Sequence, residues 1–170
     1  MKSKPTNPDT YVPSTEEVLE AYNRIKDKDT DLVFRLLLYS GIRVVEASLM
    51  LSNYDASKVE VHDTHCLYPL MLLRKTKNVY YAFFPSEFKD DLRVVKMTQG
   101  AITKRLSRIG LPAKYLRKWN YNFMLEHGVP ESVIDFIQGR QPVTVGAMHY
   151  LAKVKQANKW YEKIINCFPI

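Results

Sequence analysis

Apolar residues recur along this chain in two rhythms, and the change of rhythm divides it. Val18, Leu19, Tyr22 and Ile25 fall at helical spacing behind a Ser14–Glu17 capping box, which predicts a first helix from Ser14 to about Lys26. A second helix is predicted through Val33, Phe34, Leu36, Leu37 and Leu38, capped by Asp29 or Thr30 and stopped by Gly41. A short third helix spans Val44 to Leu51. The pattern then shifts to β-branched and aromatic runs, KVEV, LYPLMLL and VYYAFFP, separated by polar turns, with Lys75, Thr76, Lys77 and Asn78 in the second turn. These predict a small antiparallel sheet of three strands. After Pro85 the helical period returns in segments from Ser86 to about Leu92, Thr98 to Ile109, Pro112 to His127, Pro130 to Gln138 and about Thr144 to Ile165. The expected fold class is α+β, mainly α-helical: a compact domain with a small three-stranded antiparallel sheet and about seven or eight helices.

Residues 1–13 carry three prolines among small polar residues and are expected to form a flexible N-terminal tail or linker, leaving residues 14–170 as one domain. The 170 residues, 46% of them hydrophobic, are enough for one core. A net charge of +7 suits a polyanionic partner, although it also serves plain solubility. Cys66 and Cys167 are the only cysteines, so neither a disulfide framework nor a four-cysteine zinc site is available, which points to a reducing, intracellular setting. No apolar run approaches the roughly 20 residues that span a bilayer, and no membrane role is expected.

Three short motifs carry candidate chemistry. In LLLYSGIRVVEASLM, Arg43 follows a tight turn and Glu46 lies one helical turn later; read alone, this is more often an exposed ion pair. In PAKYLRKWNYNFMLEHG, Lys114 and Arg117 put two cations on one helix face, which is either a solvated basic face or a place where an anion settles between them. In IQGRQPVTVGAMHYL, Arg140 follows a glycine and Tyr150 comes ten residues later. A helical tyrosine is more often packing than nucleophile. Cleaving a phosphodiester with one, however, needs only an in-line hydroxyl, cations around the phosphorane and an acid for the leaving oxygen. The HDTHC stretch with His62, His65 and Cys66 has no partner pair at ligand spacing, so no metal is expected. His149, adjacent to Tyr150, points about 100° away from it on a helix and reads as packing or a DNA contact.

The order Arg43, hairpin lysine, Lys-x-x-Arg, Gly-Arg, Tyr150 resembles the tyrosine recombinases and integrases from about Ser14 to the C-terminus. SGIRVVEASLM looks like that family's Thr-Gly-Leu-Arg-x-x-Glu-x-x-x-Leu box, which would make Arg43 a phosphate-binding arginine and Glu46 its acidic companion. KYLR looks like the His-x-x-Arg box, with Arg117 as second phosphate clamp and Lys114 standing for histidine. A lysine there cannot act as histidine does near neutral pH, its unperturbed pKa being about 10.4. IQGR resembles the Leu-Gly-His box, with Arg140 in the histidine position, and Tyr150 falls where the nucleophile is expected, one residue beyond the commonest spacing. The two replaced histidines make the chain similar to integrases of archaeal viruses in particular. The family's hairpin lysine, the acid for the leaving oxygen, corresponds to Lys77, which lies eight residues before Pro85 as in many members, in preference to Lys75, which precedes Thr76 as in others and is otherwise a substrate-binding residue.

The resemblance implies site-specific DNA recombination through a 3′-phosphotyrosyl intermediate, with double-stranded DNA as partner, self-association into a dimer or tetramer on paired sites, and no cofactor. It also implies work inside the cell with DNA, in the host cytoplasm if the protein is viral and archaeal. Two other readings share these residues: DNA relaxation of the type IB topoisomerase kind, and a non-catalytic DNA-binding module with a degenerate site.

Overall fold

The computed structural model describes residues 8–72, 77–142 and 147–170, with backbone alone for Leu72, Lys77, Gln141, Pro142, Ala147 and Met148. The chain begins with α1 (Thr15–Asn23), where the Ser14 hydroxyl accepts from Glu17 N at 3.1 Å and the Glu17 carboxylate accepts from Ser14 N at 2.7 Å. This is the expected capping box, and it closes the helix's first turn reciprocally. α2 (Lys28–Ser40) starts earlier than expected, because Asp27 is its cap and accepts from Thr30 N at 2.9 Å. Asp29, proposed as the cap, lies in the first turn and pairs with Arg93. The helix ends at Gly41, whose φ of +62° is the left-handed stop. With Leu32, Val33, Phe34, Leu36, Leu37 and Leu38 all buried, α2 runs through the middle of the core. α3 (Val44–Ser52) follows directly.

The sheet is the expected antiparallel meander, β1 (Glu60–Val61), β2 (His65–Leu72) and β3 (Lys77–Pro85), with Leu67 opposite Phe83 and Pro69 opposite Tyr81. Two details differ from expectation. Lys58 belongs to a 3₁₀ turn (Ala56–Lys58), which shortens β1. Lys77 and Asn78 lie in β3 and not in the turn, because a two-residue strand, β4 (Gln141–Pro142), pairs with them across the far edge. Ser86–Asp91, read as a helix, is of the tighter 3₁₀ kind.

Four further helices complete the domain: α4 (Gln99–Arg108), α5 (Ala113–Glu126), α6 (Glu131–Ile137) and α7 (Ala147–Ile164). The expected start of the last one, Thr144, lies outside the described residues. Tyr161 anchors α7: fully buried, it donates to Tyr39 O at 2.9 Å and packs on Phe83. Phe168 packs its ring against Tyr39, Phe123 and Tyr161, and the Tyr39 hydroxyl donates to Ile170 O at 2.9 Å, so the C-terminus closes over the same core. Within the stretch read as a tail, Pro13 is buried and Tyr11 donates to Glu17 at 2.6 Å while meeting Tyr115 edge-on. Among the described residues, no helix is long and apolar enough to cross a membrane.

Candidate active site

The α2–α3 junction, the first half of α5, the end of α6 and the start of β3 meet at one place, and each brings a residue singled out by the sequence. Arg43 caps α3. Its Nη1 donates to Gly139 O at 3.0 Å and pairs with Glu46 Oε1 at 3.2 Å, while Glu46 Oε2 accepts from Arg43 N at 2.7 Å. Glu46 is 0% exposed, so this is no surface ion pair. A carboxylate is held out of water here to orient a guanidinium. Arg117, from α5, donates through Nη2 to Gln138 O at 2.8 Å. Arg140 donates through Nε to Gln138 Oε1 at 2.9 Å and lies over the Tyr121 ring.

Three guanidiniums from three separate segments therefore converge on a single turn, Gln138–Gly139–Arg140. Its backbone explains why a glycine sits in the middle. Gly139 has a φ of +67°, and a Cβ there would run into the Val79 side chain of β3. The turn is thus pressed against the strand that starts at Lys77. Pairing of Lys77 with Pro142 seats the Lys77 backbone two residues along from Arg140. Lys75 lies outside the described residues.

Lys114 does not join the arginines. It is mostly exposed and bonds Asp9 Oδ2 at 3.1 Å, with its ammonium over the Tyr115 ring. The anion expected between Lys114 and Arg117 is found instead between Lys114 and Lys118, whose Nζ is 3.4 Å from the same Asp9 oxygen. The Lys114 hydrogen bond, foremost among the causes, holds the Asp9 carboxyl at about 2, below the usual carboxylate range. The sequence marked neither Asp9 nor Lys118 as a site residue.

Tyr150 lies on α7 with its ring on Tyr80 and Phe136, centroids 4.7 and 6.1 Å apart, and its hydroxyl donates to the Tyr81 hydroxyl at 2.9 Å. Burial first, and the Tyr81 bond second, push its phenol pKa well above the ordinary value. Docked in this way the phenol keeps its proton throughout the neutral range. His149 is exposed. His62 and His65 stack on each other at the other end of α7, where His65 bonds Asn158 at 2.8 Å, and among the described residues no three His, Cys, Asp or Glu side chains are grouped to hold a metal ion.

Sequence reasoning missed Gln138 and Asn120, both fully buried and both bonded into the arginine cluster. A signal was present for Asn120, a polar residue on the stripe that also carries Leu116, Phe123 and Met124 at helical spacing.

A mainly helical α+β domain that gathers three arginines at one turn, with a tyrosine helix beside them, defines a domain of the integrase type. The family model described as archaeal phage integrase matches residues 10–167, and the chain belongs to that family. Membership makes it a recombinase-like enzyme of DNA integration and recombination, with DNA as its partner. A search of curated proteins finds no sequence match.

Proposed function

We propose that residues 14–170 form the catalytic domain of a tyrosine recombinase, which cuts and rejoins double-stranded DNA through a 3′-phosphotyrosyl link to Tyr150, as a dimer or tetramer on paired sites. The observation that carries this reading is the convergence of Arg43, Arg117 and Arg140 on one turn. Dispersed positive charge of that kind suits the non-bridging oxygens of a phosphorane, which gain charge in the transition state. The Tyr150 oxygen attacks phosphorus as the bond to the 5′ oxygen breaks. The phenolic proton passes to solvent water, and the 5′ oxygen takes a proton from a hairpin lysine, Lys77 or Lys75. One phosphoester bond replaces another, so a second 5′ hydroxyl can reverse the step without a cofactor. Tyr150 must first leave Tyr81. The test is incubation with a nicked suicide duplex, which should give an SDS-resistant protein–DNA adduct.

Lys77 is the favoured acid because its strand pairs beside the arginine turn. Lys77→Ala should slow cleavage by about 10²- to 10⁴-fold. A substrate with sulfur in place of the bridging 5′ oxygen needs no acid, so it should restore the rate. The same pair of substrates applied to Lys75→Ala decides between the lysines, and rescue of Lys75→Ala alone would reassign the role.

DNA phosphates should compete with Asp9 for Lys114 and Lys118. Asp9→Asn is therefore expected to tighten DNA binding a few-fold at low salt, measured by fluorescence anisotropy, and the gain should shrink as salt rises. Because the folded pKa of Asp9 is depressed, its contact is complete above the ordinary carboxylate value and is lost only as pH falls through about 2. Near-neutral assays therefore see Asp9 fully charged. An affinity unchanged by Asp9→Asn would remove it as a competitor.

A further inference from the structure

The arginine turn is tied to the core by two buried amides that the proposed chemistry does not itself use. Asn120 and Gln138 are both 0% exposed. Asn120 Nδ2 donates to Leu38 O at 2.7 Å, at the end of α2, which commits its Oδ1 to the other side. There Oδ1 accepts from Gln138 Nε2 at 2.6 Å, and the same Nε2 also donates to Arg117 O at 3.1 Å. Gln138 Oε1 is then left to face Arg140, whose Nε it receives at 2.9 Å. Each amide has one workable orientation, because a flip would set donor against donor or acceptor against acceptor. Arg140 is thereby held at its Nε, with its guanidinium over the Tyr121 ring.

Gly41 shows how closely this chain of bonds is built in. A Cβ at that position would collide with Asn120 Oδ1 and Gln138 Nε2, so the end of α2 can approach only as glycine. Arg43 follows two residues later. The same pair of amides thus touches the three segments that supply Arg43, Arg117 and Arg140.

We infer that Gln138 is a positioning residue for Arg140, held in place by Asn120, and that this amide relay aligns the three guanidiniums as one clamp. Burying two primary amides costs free energy that an apolar pair of similar volume would avoid. What the amides add is a single geometry, the property that a satisfied buried network confers. A guanidinium displaced by about 1 Å from a reacting phosphate loses on the order of 10²-fold in rate, which is the scale at which such alignment matters.

The inference rests on the tyrosine recombinase reading, and the experiment separates the two. Gln138→Met in the full chain keeps the volume and removes both ends of the relay. On a nicked suicide duplex its single-turnover cleavage should fall by about 10- to 100-fold, while DNA affinity stays within about threefold. A duplex carrying a methylphosphonate at the scissile position has no charge there for a guanidinium to offset, so the defect should shrink to within a few-fold on that substrate. A purely structural lesion would slow both substrates alike. If the variant melts below the assay temperature, Gln138→Leu replaces it, with the same two substrates. Wild-type cleavage by Gln138→Met, or an equal defect on both duplexes, overturns the role given to Gln138 and leaves the recombinase reading standing. Absence of any adduct from the wild-type protein overturns both.

Discussion

Tyr150→Phe will form no covalent adduct with a nicked suicide duplex, while its DNA affinity and fold remain close to those of the wild type. The substitution removes one oxygen and keeps the ring that packs on Tyr80 and Phe136. Its cost to stability is one hydrogen bond, to the hydroxyl of the buried Tyr81, or about 1 kcal/mol. The effect on chemistry is total because no water or acid can stand in for the covalent link. Tyr161, on the same helix, is a poor substitute: it is fully buried, and its hydroxyl is committed to Tyr39 O. The docked pose adds a condition. Burial and the Tyr81 bond disfavour the Tyr150 phenolate in this pose, so the hydroxyl is expected to part from Tyr81 before it attacks. The check is an SDS gel of protein with labelled DNA, alongside an anisotropy titration of the same variant. An adduct from Tyr150→Phe in wild-type yield would reassign the nucleophile.

What could be read in advance divides along the range of the interactions. Ser14 with Glu17, Gly41 and Gly139 act within a few residues, and their caps and stops were legible as local chemistry. The pairing of Lys77 with Pro142 is a contact between segments far apart in sequence, and nothing about a polar turn reveals that its last residues will be taken into a strand. The site follows the same rule. Arg43, Arg117 and Arg140 each stood out within a short motif, whereas their common anchor, the Gln138 turn, exists only once α5 and α6 have packed together and α5 has packed on α2. Lys114 was assigned to the Arg117 face from spacing alone. A lysine side chain is long enough to choose its partner, and the partner it takes is Asp9, 105 residues away, in a stretch whose proline-rich composition read as a tail.

Arg43→Ala should damage catalysis and folding together, and the two effects can be separated through Glu46. Loss of one charge-stabilising donor at a phosphate is expected to slow cleavage by about 10²- to 10³-fold. The same change also takes the guanidinium away from a carboxylate that is 0% exposed, which should lower stability as well. Glu46→Gln in the Arg43→Ala background should recover part of that stability. A neutral amide is cheaper to bury, and its oxygen can still accept from the residue 43 N–H, as Glu46 Oε2 does now at 2.7 Å. It should recover none of the cleavage, since no guanidinium returns. Arg43→Lys sharpens the point: it keeps the charge but not the planar guanidinium, whose Nη1 bonds both Gly139 O and Glu46 and whose shape suits a phosphate, so it should fold better than Arg43→Ala and still cleave slowly. Urea midpoints and single-turnover rates on the suicide duplex read the two effects independently. Full cleavage by the Arg43→Ala/Glu46→Gln protein would show that Arg43 serves the fold alone, and the phosphate clamp would then consist of Arg117 and Arg140.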